Sequence, residues 1–277
     1  MNAVRRLAVY GAVLVGVFLV SSVAGAAVHP IGLSNAEPET HSGTMDAGDG
    51  LPGLATTAGD LTLEAYSDTV AVGEPATYSF RVTDGDGVVT DFDLEQTKRM
   101  HLIVVRRDFV GFQHLHPDMS SDGTWSTDLT LDEPGVYRVY ADFIVGGDKH
   151  TLGTDLFVGG AFDPVPLAPP SRTGDAAQGY TIELVGDVLA GEESELEFVV
   201  RHDGQVVNDL NDYLGAKGHL VALRDGDLAY LHVHPEEGRL LFETEFPTAG
   251  GYRLYLQFDH AGTVRTGELT VRAEEAK

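Results

Sequence analysis

The chain has 277 residues, with 43 acidic against 18 basic side chains, a formal net charge of −25 and no cysteine. A surface that acidic repels phosphate backbones and anionic lipid heads, which sets nucleic acid aside as a partner. The missing thiols exclude disulfides, zinc–cysteine sites, iron–sulfur clusters and thiolate-ligated blue copper.

In chain order, the first element is a leader. Arg5 and Arg6 precede an uncharged, mostly apolar run over residues 7–28 that ends in Ala24, Gly25, Ala26 and Ala27. A positive start, an apolar run and small residues describe a secretory signal. The run would also span about 33 Å as a helix, enough to cross a bilayer. Residues 1–28 therefore read equally as a cleaved signal or a retained membrane anchor. Both readings expect the remainder to be extracytoplasmic, secreted or anchored with the C-terminal part outside, because the arginines stay inside. No cysteine follows the small residues, so no lipoprotein anchor is expected. Residues 29–58 are rich in Gly, Pro, Ser, Thr and acids without an apolar period, and read as a flexible stalk.

Beyond the stalk one module is written twice. Leu61-Thr62-Leu63-Glu64 answers Tyr180-Thr181-Ile182-Glu183, Gly73-Glu74 answers Gly191-Glu192, and Val88-Val89-Thr90-Asp91 answers Val206-Val207-Asn208-Asp209. Late in each copy, Gly135-Val136-Tyr137-Arg138-Val139-Tyr140 answers Gly250-Gly251-Tyr252-Arg253-Leu254-Tyr255. Short alternating apolar runs separated by Asp-Gly, Gly-Glu and Pro-Gly turns predict strands throughout. The fold class is all-β: two tandem antiparallel β-sandwich modules of immunoglobulin or cupredoxin type. The first module is placed at 59–160, a proline-rich linker at 161–178 and the second module at 179–273. Tyr137 and Tyr252 fit either buried corner tyrosines or half-exposed strand aromatics.

Six of the eleven histidines form a pattern. His101, His114 and His116 recur as His219, His232 and His234, each 118 residues later, in an H-x12-H-x-H-P spacing without a gap. If Arg224-Asp225-Gly226-Asp227 makes a two-residue hairpin turn, His219 stands opposite His232, with His234 on the same face. A turn at Arg107-Asp108 does the same for His101, His114 and His116. Facing Cβ atoms lie about 4.5–5.5 Å apart, so three such imidazoles can converge on one ion. A slip of one residue would move His101 or His219 to the other face. The plain alternative is a set of hydrogen-bonded core histidines, since Val221, Leu223, Leu228 and Tyr230 share that face.

Met100 and Met119 lie near His101 and His116 in sequence, and Met45 near His41. Thioether beside imidazole favours copper, especially Cu(I), over zinc, which is the alternative ion. Weaker features are Asp84-Gly85-Asp86-Gly87, which hints at calcium but sits where a turn is expected. His150 and His260, in the late hairpin of each copy, are candidate extra ligands, and Lys98-Arg99 and Lys217 are candidate anion contacts. No nucleophile in motif context and no Gly-rich phosphate loop is present, so no catalytic residue is assigned.

The stretches His101-Leu102-Ile103-Val104-Val105-Arg106-Arg107-Asp108, Phe112-Gln113-His114-Leu115-His116-Pro117, Gly218-His219-Leu220-Val221-Ala222-Leu223-Arg224 and Ala229-Tyr230-Leu231-His232-Val233-His234-Pro235 resemble a group of secreted actinobacterial proteins. The resemblance runs from about residue 51 to the C-terminus. Members carry His- and Met-rich stalks and are associated by name with heavy metals, which implies metal handling. This stalk departs from that pattern, with only His29, His41 and Met45.

The sequence thus leads to an extracytoplasmic metal-binding protein, with copper as the first choice, acting in storage, delivery or protection. Its expected partners are the ion and a membrane copper-handling protein, and its own contact with the membrane is through the N-terminal segment alone. A metal-free pair of immunoglobulin-like interaction or spacer modules is the alternative, and a metal-dependent enzyme comes third.

Overall fold

Alternation builds the sheets of the first module. In the strand Ala76–Asp84, Tyr78, Phe80 and Val82 point inward and their neighbours outward, the period expected of a sheet covered on one face. A computed structural model of the protein describes residues 51–231 and 233–276. The leader and all but the last residues of the expected stalk lie outside them. Among the described residues there are strands but no helix, so none is long and apolar enough to cross a membrane.

Two sheets face each other in the first module. One carries Leu61–Ala65, Ala76–Asp84 and Trp125–Leu129 as neighbours; the other carries Asp148–Val158, Gly135–Val145, His101–Arg106 and Gln113–Leu115 in that order. The short strand Thr69–Val70 leaves the first sheet and runs parallel to Asp148–Val158. This is an immunoglobulin-like arrangement. In the second module Thr173–Ala176 pairs with both Tyr180–Val185 and Thr263–Glu275, joining the two layers into one continuous sheet. The second module therefore begins inside the stretch expected to be linker. The end of the expected stalk is also part of the fold: the Gly53 carbonyl accepts two N–H groups of Arg138, at 2.6 and 3.1 Å. The Tyr230 amide donates to the Pro52 carbonyl at 3.0 Å.

Both corner tyrosines are buried. The Tyr137 hydroxyl donates to the Glu133 carbonyl at 2.9 Å and the Tyr252 hydroxyl to the Thr248 carbonyl at 2.8 Å, closing the turn before each late hairpin.

One strand in each module breaks the alternation. Every residue of His101–Arg106 is buried, and all but the last of Gly218–Arg224. Strands that read as continuous apolar runs are covered on both faces. Leu102 and Val104 enter the core of the first module, and Leu220 and Ala222 that of the second. Their odd-numbered neighbours Ile103, Val105, Val221 and Leu223 instead form a third core with Phe109, Tyr140, Leu228, Tyr230 and Tyr255. The two modules are thus packed sheet to sheet. Each buried side chain of this size contributes about 1.5–3 kcal/mol.

The contact obeys a pseudo-two-fold relation. Tyr140 of the first module donates its hydroxyl to the Leu228 carbonyl of the second, and Tyr255 of the second donates to the Phe109 carbonyl of the first, both at 2.6 Å. Phe109 and Leu228 each sit at positive φ, 70° and 60°, a strained backbone held by the contacts around it.

Candidate metal centre

His101 and His219 occupy the same faces as Ile103 and Val221, so both point into the inter-module contact, and each is 4% exposed. The hairpin that brings in the remaining histidines differs in register from the sequence expectation. Ile103 pairs with His114 and Leu102 with Leu115, so continuing the ladder sets His116, not His114, opposite His101. In the second module Leu223 pairs with Tyr230 and Ala222 with Leu231, the same displacement. The cause is the turn. Neither copy makes the two-residue turn; a longer loop carries Phe109 or Leu228 in the left-handed region. The displacement is two residues, so His101, His114, His116 and His219 keep their faces.

Three imidazoles of the first module come together. One ring nitrogen each from His101, His114 and His116 lies within 4.8 Å of the others. His219 of the second module joins them, its ring centroid 6.2 Å from that of His101 and 6.0 Å from that of His114. His232, and the side chain of His234, lie outside the described residues. Three histidines of the first module thus share one cluster, and His219 of the second module lies beside it across the contact.

Hydrogen bonds fix how the rings are turned. His101 Nε2 lies 3.2 Å from the Glu95 carbonyl oxygen, and His219 Nε2 lies 2.8 Å from that of Tyr213. A carbonyl only accepts, so each Nε2 carries the proton and each Nδ1 keeps its lone pair. With the Gln257 amide oxygen assigned toward His114, His114 Nδ1 donates to Oε1 at 2.8 Å. Its Nε2 lone pair then faces His101 Nδ1 at 3.0 Å. At that distance the two nitrogens share either a proton, as a ring-to-ring hydrogen bond, or a cation. Two nitrogens each about 2.0–2.1 Å from one ion and 3.0 Å apart subtend roughly 90–95° at it. Two such ligands are at most about 4.2 Å apart, and the His116 ring nitrogen lies within 4.8 Å of the other two. His116 Nε2 is buried with no hydrogen-bond partner, so nothing described holds that nitrogen back.

The carbonyls that pin His101 and His219 stand at equivalent tight turns, Glu95 pairing with Lys98 and Tyr213 with Ala216. Gln96 and Thr97 have φ of 47° and 70°; Leu214 and Gly215 have 51° and 85°. Non-glycine residues there cost about 1–3 kcal/mol each. Holding the N–H of one ring nitrogen on a carbonyl is what orients a metal-ligating histidine.

Electrostatics favour the neutral form of three of the rings. Burial pushes His114 well below the ordinary imidazole range, with the neighbouring imidazoles adding to the effect. Burial also lowers His116 to about 3 and His219 to about 4. Beside the rings lies a buried ionic group. Lys149 Nζ contacts Glu95 Oε1 at 2.7 Å and Asp142 Oδ2 at 3.4 Å. Burial opposes the ammonium charge, but Asp142 and Glu95 outweigh it and hold its pKa above the usual value. Thr151 donates to Asp142 Oδ1 at 2.7 Å.

Sequence reading missed Glu95, Asp142, Lys149 and Gln257. A signal for two of them was present: Asp142 and Gln257 take the same place after Tyr140-Ala141 and Tyr255-Leu256, as polar residues in otherwise apolar strands. The methionines are a correction. Met100 is buried in the core of the first module and Met119 packs against that core. Met100 therefore points to the opposite face of its strand from His101, acting as core filler. His260 is bonded to the Tyr180 hydroxyl at 2.7 Å and faces Asp209 at 3.2 Å, while His150 packs near Phe143. Lys217 is held by the Leu210 carbonyl and Asp212, and Arg99 by the Phe92 carbonyl. Asp84 Oδ1 accepts the amides of Asp86 and Gly87, the bonding of a turn.

A family model matches residues 56–159 and again 175–275, one match per module. The chain belongs to the family described as Domain of unknown function (DUF8832). Among curated proteins none matches it. Solved structures similar to the chain include Salmonella alpha-2-macroglobulin reacted with methylamine, 15% identical with a TM-score of 0.30. Another is FdeC, an Escherichia coli adhesin, 14% identical with a TM-score of 0.27. The alignments cover 82% and 80% of this chain. The chain spans 16% of the length of the first structure and 66% of the second.

Proposed function

We propose that this DUF8832 protein binds one transition-metal ion between its two modules, in an extracytoplasmic setting, for storage, delivery or protection. The observation that carries the reading is the convergence of one ring nitrogen each from His101, His114 and His116 within 4.8 Å of one another, with His101 Nδ1 and His114 Nε2 3.0 Å apart. His116 supplies the third ligand and His219 the candidate fourth. With the thioethers in the core, the donors are imidazoles alone. That set suits copper in its divalent form, and the general affinity order for divalent ions ranks copper above zinc. A membrane copper-handling protein is the partner this role calls for.

Titration of the folded two-module protein with Cu(II) and with Zn(II), followed by calorimetry and electron paramagnetic resonance, tests the reading. The expected result is one ion per chain, with nitrogen hyperfine structure for copper, lost in His114→Ala. Absence of any bound ion leaves the metal-free interaction module.

A further inference from the structure

The ionic group beside the imidazoles has one loose end. Glu95 binds Lys149 through Oε1, yet its Oε2 is buried and has no hydrogen-bond partner. A carboxylate oxygen in that state is costly unless something in the site donates to it. Glu95 lines the same cavity as His101, His114, His219, Asp142 and Lys149, a space of about 30 Å³. That is room for one or two waters. The carboxylate lines that cavity without belonging to the close group of ligand atoms formed by His101, His114 and His116. What fits between is a water.

We infer that the ion, bound as proposed above, carries one water ligand that donates a hydrogen bond to Glu95 Oε2, making Glu95 a positioning residue of the metal centre. The residue would hold the centre twice, its backbone carbonyl turning His101 and its side chain fixing the water. Charge supports the same assignment. Imidazoles bring no charge to balance a dication, whereas Glu95, Asp142 and Lys149 together contribute one net negative charge. At the equivalent positions the second module has Tyr213, Gln257 and Val264, all uncharged. Only the first module therefore offers both the anion and the acceptor, which seats the ion and its water on that side.

The test is Glu95→Gln, with Glu95→Gln/Lys149→Met as a companion that keeps the one net negative charge of the ionic group. Both are compared with the unaltered protein by Cu(II) affinity, by electron paramagnetic resonance and by azide titration of the copper-loaded form. Loss of the carboxylate is expected to weaken copper about 10- to 100-fold, the usual cost of removing such an outer partner. It is also expected to shift the copper spectrum and to raise azide affinity, because an anion replacing the water no longer meets Glu95. Copper binding unchanged in affinity, spectrum and azide response in the variants overturns the inference and leaves the metal centre standing. Failure of the unaltered protein to bind any ion overturns the centre itself.

Discussion

The two halves of the inter-module contact share a plan and differ in charge. In each, a histidine donates Nε2–H to a carbonyl six residues upstream, a tyrosine reaches across to a strained carbonyl of the other module, and a buried corner tyrosine closes a turn. These shared features set backbone geometry and packing. The first half adds Glu95, Asp142 and Lys149, whereas the second has Tyr213, Gln257 and Val264. The shared positions fold the module and orient the rings, while at these three positions only the first module carries charge. Seating one ion on the contact, as proposed, rests on that asymmetry.

The sharpest way to break this comparison is to remove one ligand from each half. His101→Ala and His114→Ala are expected to weaken copper by at least about 100-fold, and His219→Ala by about 10-fold, since outer-shell and auxiliary partners typically cost 10- to 100-fold. Equal losses in calorimetric titration would mean that the ion is shared evenly.

The arginines at the hairpin ends give the next largest contrast. Arg106 is 2% exposed, bonded to both oxygens of Asp108 at 2.7 and 2.9 Å and to Glu133 at 2.6 Å. Its counterpart Arg224 binds Asp227 closer to solvent. Arg106→Met leaves Asp108 without its partner and should destabilise by about 3–5 kcal/mol. Arg224→Met should cost only about 1 kcal/mol. Urea unfolding of both variants measures the difference.

Acid sharpens the comparison differently. His116 and His219 are lowered to about 3 and about 4 from 6.5, and His114 well below it. Above about pH 6.5 the rings are neutral in both folded and unfolded chains, so their contribution to stability is full there. As pH falls from 6.5 toward 4 the unfolded chain takes up protons that the folded one refuses, and stability drops. His116→Asn should flatten that decline, visible as a smaller fall in melting temperature between pH 7 and pH 4.5. By the same shifts, protons compete weakly for the rings, and metal binding is expected to persist below pH 6.

The smallest expected effect is at the pinning turns. Thr97 holds φ of 70° where the second module has Gly215. Thr97→Gly should raise stability by about 0.5–1 kcal/mol by relieving that strain, less the entropy glycine adds to the unfolded chain. A loss of stability in thermal melts would show that Thr97 is held by more than its backbone.

Much of the fold was legible. The internal repeat, the strand periods and the turn residues gave two all-β modules, and the repeated histidine spacing gave the face on which the rings meet. The turn register was wrong by two residues, because Asp-Gly is only one of several ways to close a hairpin and Phe109 and Leu228 adopt a backbone that their residue types disfavour. The face survived because the displacement was even. Met100 was misread because proximity in sequence to His101 says nothing about side when neighbours on a strand point opposite ways.

By itself the sequence determined what is local or repeated: strands, modules, and which residues share a face of one sheet. That His101 and His219 meet at all was decided only by the docking of one module on the other, since chain positions 118 residues apart carry no pairing information until apolar faces are buried together. His101–Arg106 and Gly218–Arg224 proved to be covered on both faces, which the strand reading alone did not say. Which surface would cover them, and that Glu95, Asp142 and Lys149 would be carried to the rim of the same cavity, are facts of tertiary packing.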